Sequence, residues 1–213
     1  MLDRSQVLLA TRNAHKLDEL RRILTPGVSV RVLGLDEVAP YDEVPETGAT
    51  FADNALLKAH EAARHTGLIA VADDSGLAVE ALNGMPGVLS ARWSGPAAVG
   101  PDGTKLPGAD AANLALLLAQ LADTPDERLG AAFHCAIALV SPDGTELVRH
   151  GVMPGRLIRQ PRGSNGFGYD PIFVPAGYEQ TSAELASADK DRISHRGRAL
   201  QALLPDLLAV LGG

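Results

Sequence analysis

Short apolar runs alternate with amphipathic stretches through the first third of the chain. SQVLLAT (5–11) reads as a short buried strand. HKLDELRRIL (15–24) reads as an amphipathic helix with Leu17, Leu20, Ile23 and Leu24 on its apolar face, stopped by Pro26-Gly27. VSVRVLGL (28–35) predicts a second strand. A polar, acidic loop (37–50) follows, and FADNALLKAHEAARHTG (51–67) predicts a helix closed by Gly67. LIAVADD (68–74) is a buried strand expected to run into a turn at Ser75-Gly76.

Later in the chain the spacing changes. The Gly/Pro-rich stretch GPAAVGPDGTKLPGA (95–109) predicts an exposed loop, and Asp110 is a candidate cap for the helix that follows it. AAFHCAIALV (131–140) and TELVRHGVM (145–153) predict an antiparallel pair joined by the turn SPDG (141–144). A second glycine-rich loop, PRGSNGFGYD (161–170), precedes the strand PIFVP (171–175). HRGRALQALLPDLLAVL (195–211) closes the chain as a helix that Pro205 is expected to bend or split. Alternating strands and helices followed by a hairpin predict an α/β or α+β fold, a mixed sheet flanked by helices.

Composition narrows the function classes. With 213 residues, 46% hydrophobic and 21% charged, the chain is long enough for one domain, or one domain with two lobes. Its net charge of -7 argues against a broad nucleic-acid or membrane-surface footprint. The single Cys135 can form no internal disulfide and is expected to be a buried, inert thiol. The N-terminal residues do not have a signal-peptide pattern, and no apolar stretch reaches the roughly 18 residues of a membrane span, so a cytoplasmic location is expected. Of 19 basic residues only Lys16, Lys58, Lys105 and Lys190 are lysines. In a chain that defaults to arginine, a lysine suggests a place that needs a compact point charge.

Five clusters could carry chemistry. In Thr11-Arg12-Asn13-Ala14-His15-Lys16 a strand ends and a helix begins, an arrangement that favours phosphate through free N–H groups and the helix dipole. Simple N-capping beside a solvated lysine would use the same residues. Glu46-Thr47-Gly48, with Asn54 and Lys58 following, could bring a metal-binding carboxylate to a helix; alternatively, Glu46 or Asp53 only complements the helix N-terminus. Asp73-Asp74-Ser75-Gly76 ends a buried strand, where two adjacent carboxylates need a cation or hydrogen bonds. Magnesium, which takes one or two carboxylates plus water and substrate phosphate, would suit Glu46 with Asp73 or Asp74.

The fourth cluster is Gly166-Phe167-Gly168-Tyr169-Asp170. Its glycines allow a flat ligand to approach and Phe167 to stack on a base, whereas a tight turn around a core phenylalanine is the structural alternative. The fifth is Lys190 with Ser194-His195-Arg196. A donor such as Arg196 aimed at position 6 of a purine is satisfied by a keto oxygen and left unpaired by an amino group. His195 serves equally as a packing histidine, and Arg198 reads as a solvated helix cation.

Six stretches in order, TRNAHK (11–16), ETGATFADNA (46–55), ADDSGL (72–77), GMPGVLSARWSG (84–95), GFGYDPIF (166–173) and SHRGRAL (194–200), resemble the RdgB/HAM1 family, also called the inosine-triphosphate pyrophosphatase family. The resemblance spans nearly the whole chain. It implies an elongated α/β protein with a nucleotide cleft between two lobes, usually a homodimer. It also implies magnesium-dependent hydrolysis of dITP, ITP and XTP to the monophosphate and pyrophosphate. By the same resemblance Thr11 to Lys16 hold the triphosphate, Glu46 and Asp74 bind magnesium, and Asp74 is the base that activates water. Ser75 touches substrate, and Phe167, Gly168, Tyr169, Asp170, Lys190, His195 and Arg196 line the base pocket. Two features depart from the family pattern: the 95–109 loop is long, and Met153 stands where an aromatic is common.

Three rival readings remain at this level. A Maf-like pyrophosphatase would act on modified pyrimidine nucleotides. A nucleotide-binding module without turnover gains nothing from paired carboxylates beside phosphate unless metal is present. Nucleic-acid binding is disfavoured by the charge balance and the lack of a basic stripe.

Overall fold

The computed structural model describes residues 5–24, 30–42, 44–95 and 108–212. The Gly/Pro-rich loop expected at 95–109 and the start of the strand expected at 28–35 fall mostly outside them. The elements are β1 (Gln6–Leu9), α1 (Ala14–Leu24), β2 (Arg31–Leu33), α2 (Phe51–Thr66), β3 (Ile69–Val79), α3 (Ala109–Gln120), β4 (Gly130–Val140), β5 (Glu146–Leu157), β6 (Phe173–Pro175), α4 (Ser187–Ile193) and α5 (His195–Gly212). They form a six-stranded sheet in the order β2-β1-β3-β4-β5-β6. β1 runs parallel to β2 and β3, and β6 antiparallel to β5, so the sheet is mixed and the fold α/β as the pattern predicts.

The chain forms two compact units. The first comprises Met1–Asp74, Cys135–Gly151 and His195–Gly213, and the second Ser75–His134 and Val152–Ser194. In the first unit the sheet is covered on both faces, which is why its strands read as continuous apolar runs rather than alternating ones. Successive side chains still point to opposite sides. Val7, Leu9, Ile69, Val71, Cys135, Ile137 and Leu139 pack with Leu20 and Leu24 of α1 and with Leu200, Leu203 and Leu207 of α5. Leu8, Ala70, Ala72, Ala136 and Ala138 face the other way, against Ala55, Ala59, Ala62 and Ala63 of α2. Alanine on both sides of that contact lets helix and sheet approach closely.

The second unit is built around Leu77, Val79, Leu117, Leu121, Phe133, Ile172 and Phe173, with Met153 fully inside the same core. Met153 fills space there with a flexible thioether.

Four local expectations are corrected. Ser75-Gly76 is not a turn: β3 continues through it to Val79. The glycine serves close packing instead. A Cβ at Gly76 would lie 2.4 Å from the Gly87 carbonyl oxygen and 2.4 Å from Ser90 Oγ. Asp110 is not the N-cap of α3; Gly108 is, and Asp110 lies in the first turn, where its charge complements the helix dipole. Pro205 does not split α5, which is helical from His195 to Gly212. Pro205 is exposed, and Leu203 and Leu207 bury the helix on either side of it. The PIFVP segment is a short 3-10 turn (Asp170–Ile172) leading into a three-residue strand. Gly76→Ala is expected to cost about 1–3 kcal/mol through overpacking, read as a lower urea midpoint. An unchanged midpoint would show that the Gly87–Ser90 turn can move aside.

Candidate active site

Asp73 and Asp74 are neighbours in sequence at the boundary of the first unit, yet they have different partners. The period of two sends Asp73 to the face lined by Val71, and Asp74 to the face lined by Ala72 and α2. Both are buried, and each is balanced by cations from the helices on its own side.

On the first side, Asp73 Oδ2 lies 3.1 Å from Lys16 Nζ and 3.1 Å from Arg196 Nε. Arg196 is 1% exposed and also donates from a terminal nitrogen to Glu19 of α1, itself buried. Burial alone would raise the Asp73 carboxyl. Lys16, Arg196 and Lys58 overcome that and hold it well below the usual carboxylate range. Burial acts against the Arg196 cation, but Glu19 and Asp73 outweigh it and raise the group further. Cys135 shares this face and is raised chiefly by burial, the inert thiol expected from its apolar run.

On the second side, Asp74 Oδ2 accepts from the Asn54 amide at 3.0 Å, and Oδ1 lies 3.6 Å from Lys58 Nζ. The same ammonium donates to Glu46 Oε1 at 2.9 Å. Glu46 comes from the acidic loop and Asp74 from within β3, so two carboxylates from separate segments converge on one cation. Burial raises the Asp74 carboxyl, and Lys58 and Lys16 only partly oppose it. Lys58 is pushed down by burial, but Asp74 and Glu46 raise it on balance, so it stays charged.

The helix starts explain how these side chains are aimed. At α1, Asn13 Oδ1 accepts the Lys16 N–H at 3.2 Å, and the Asn13 N–H donates to Thr11 Oγ1. That is a capping arrangement, but the lysine beside it is not solvated: it is drawn in to Asp73. Arg12 donates to the Tyr41 carbonyl, and Ala14 and His15 are exposed. At α2, Thr50 caps and Asp53 completes the box, which relieves Glu46 of any capping duty. From Asn54, one helical turn leads to Lys58 on the same face.

In the second unit, Gly166 and Gly168 adopt φ of 74° and 63° around half-buried Phe167. A Cβ at Gly166 would lie 2.1 Å from Asp170 Oδ2, so the position has no room for a side chain. Asp170 accepts from the Phe167 N–H at 2.9 Å and from Lys190 Nζ at 2.6 Å. Lys190 Nζ lies 5.5 Å from the centroid of the Phe167 ring, within cation–π range. Loop, ring and cation are thus tied by one carboxylate. Tyr169 is 4% exposed and donates its hydroxyl to the Ser90 carbonyl, so it is packed in the core of its unit. Ser75 is half-buried at the start of this unit.

Lys190, His195 and Arg196 stand close together in sequence but belong to different units. Lys190 lies in α4, a short helix the sequence pattern did not reveal, and pairs with Asp170. His195 and Arg196 begin α5, both buried, while Arg198 is exposed. Sequence reasoning placed Asn54 and Lys58 beside Glu46 but assigned neither a site role, and it missed Glu19 as a member of the charged clusters. The scarcity of lysine and the four-residue step from Asn54 were signals for Lys58. Nothing local marked Glu19, whose partner Arg196 is 177 positions away.

Parallel strands with a buried acidic pair, which lies within β3 and not at its end as the sequence suggested, balanced by lysines from the flanking helices, define an α/β protein with a charged cluster set into its sheet. The model of the Ham1 family matches residues 7–206, and the chain belongs to that family. It is 62% identical over 208 residues to a dITP/XTP pyrophosphatase of Nocardia farcinica, covering 97% of this chain and 96% of the relative. Among solved structures, a nucleoside-triphosphatase / dITP/XTP pyrophosphatase of Mycobacterium abscessus is 59% identical with a TM-score of 0.73, covering 94% of this chain and 99% of that one. A HAM1 protein of Coxiella burnetii is 41% identical with a TM-score of 0.82, covering 96% and 98% respectively. Among the described residues no helix is long and apolar enough to cross a membrane.

Proposed function

We propose that this chain hydrolyses dITP, ITP and XTP, and their deoxy or ribo counterparts, to the monophosphate and pyrophosphate with magnesium as cofactor. The names of the relatives above support the substrate class. The observation that carries the reading is the convergence of Glu46 and Asp74 on the Lys58 ammonium, a cation-holding arrangement with the carboxylates aimed at one point.

The donor set fits magnesium. Among the described residues no group of three or more metal-ligating side chains forms. The protein would therefore supply two hard carboxylates, Glu46 and Asp74, leaving the rest of the shell to water and substrate phosphate, as magnesium prefers. When bound, the metal would withdraw negative charge from the phosphate oxygens. Thr11 to Lys16 would hold the triphosphate at the start of α1, with the Lys16 charge already oriented by Asp73. Asp74 takes a proton from a water molecule, whose oxygen attacks the α-phosphorus. The bond from that phosphorus to the bridging oxygen breaks, and pyrophosphate leaves. Ser75 would contact substrate beside this carboxylate.

For the base, Phe167 offers a ring for stacking, with Gly168 allowing close approach and Asp170 and Lys190 fixing the ring's loop. Tyr169 would support that loop from the core. His195 and Arg196 would read the purine, with Arg196 held in one orientation by Asp73 and Glu19. A keto oxygen at position 6 accepts from such a donor; an amino group leaves it unpaired, which supports large selectivity. A homodimer and a cytoplasmic location follow the family resemblance and would be checked by light scattering and cell fractionation.

Pyrophosphate release from a panel of triphosphates tests the reading. ITP, dITP and XTP should be cleaved well ahead of ATP, and chelator should abolish turnover until magnesium is restored. Preference for dTTP or UTP, or full activity in chelator, would overturn it.

A further inference from the structure

We infer that Asn54 is a positioning residue for the reaction, setting which oxygen of Asp74 faces the cation and holding the Glu46 loop against it. This rests on the reading of Glu46 and Asp74 as the metal-holding carboxylates. Asn54 is 0% exposed, and both ends of its amide are in use. The amide nitrogen donates to Asp74 Oδ2 at 3.0 Å, and the amide oxygen accepts from the Gly48 N–H at 2.8 Å. One neighbour can only accept and the other can only donate, so a single amide orientation satisfies both.

The consequence is geometric. Asp74 Oδ2 is occupied by Asn54, which leaves Oδ1 as the oxygen on the Lys58 side, where Glu46 also points. Without the amide, the carboxylate could rotate about its own bond and present either oxygen. The second bond ties the loop: Gly48 is two residues from Glu46, and a Cβ there would lie 2.7 Å from the Asn54 amide oxygen and 2.5 Å from the Asp53 Cβ. Loop, helix and strand are fastened at one buried point. Side chains that hydrogen-bond to metal-holding carboxylates contribute about 10- to 100-fold in affinity or activity.

The test uses Asn54→Ala and Asn54→Asp in the full chain. Alanine removes both bonds. Aspartate keeps the volume and the acceptor for Gly48 but sets an acceptor against Asp74. Both variants should fold by circular dichroism and lose about 10- to 100-fold in kcat on ITP, with KM for ITP changed far less. Independently of turnover, manganese titrated into Asn54→Ala with a non-hydrolysable α,β-imido inosine triphosphate, read by electron paramagnetic resonance, should bind about 10-fold or more weakly than to wild type.

A purely structural residue would lower the melting temperature and leave kcat per folded molecule and manganese affinity as in wild type; that result overturns the inference, as does failure of both variants to fold. If the wild-type protein itself binds no manganese with the analogue, or works in chelator, the reading beneath the inference fails instead. The wild-type controls therefore separate the two failures.

Discussion

Asp74→Asn is expected to cut kcat on ITP about a thousandfold, with KM for the nucleotide nearly unchanged. The substitution keeps the shape of the side chain and its contact distance to Asn54 and Lys58. It removes the group that takes the proton from water, an interaction made in the transition state rather than the ground state. Asp74 suits that task because burial raises its carboxyl while Lys58 and Lys16 keep it from rising without limit. Asp73→Asn makes the contrasting control. That residue faces α1 and α5, so its loss should weaken folding and the placement of Lys16 before it affects proton transfer. Stopped-flow turnover at saturating ITP checks both. Near-full activity in Asp74→Asn would remove the residue from the chemistry, and a larger kcat loss in Asp73→Asn with unchanged stability would exchange their roles.

Arg196→Ala is expected to lower stability by about 3–5 kcal/mol, because it leaves two buried carboxylates without their shared cation. For a chain of this length that corresponds to a melting temperature lower by about 10 °C. Arg196 is locked between Asp73 and Glu19 at 1% exposure, so salt should not screen the effect. Arg196→Lys should recover only part of it, since one ammonium cannot match a planar fork that addresses two carboxylates. The pH window follows from the Asp73 shift. Its folded value is depressed, so its contribution is fully present above the unfolded value of about 4 and is lost as pH falls through the lower folded value. The wild-type advantage should therefore persist from neutral pH down to about 5 and narrow in stronger acid. Calorimetry across that range is the measurement. A shift under about 2 °C at pH 7 would mean the ion pairs carry little net stability. In the folded variant, assayed cold, the preference for ITP over ATP should relax; an unchanged preference would count against a role for Arg196 in reading the base.

Much of the molecule was legible from periodicity. α1, α2 and the closing helix follow their apolar patterns because each buries one continuous face, and β4 and β5 follow from apolar segments on either side of a short turn. The misreadings share a cause. Gly76 looked like a turn residue, but the strand needs it so that Gly87 and Ser90 can approach, and that neighbour is set by folding rather than by adjacent sequence. Asp110 looked like a cap because cap chemistry is local, yet the backbone turns two residues earlier at Gly108. Tyr169 and Phe167 share one motif, but one is in the core and the other is half-exposed, a division that φ at Gly166 and Gly168 makes and composition does not record.

The sequence by itself determined the acidic pair in a buried strand, the scarce lysines, the glycine-flanked phenylalanine and the order of motifs that marks the family. It could not determine which carboxylate meets which cation. That was decided by tertiary structure: a strand sends successive side chains to opposite faces, so Asp73 falls to Lys16 and Arg196, and Asp74 to Asn54, Lys58 and the Glu46 loop. Partners that are 16 to 123 residues apart in sequence become neighbours only when helices cover both sides of the sheet.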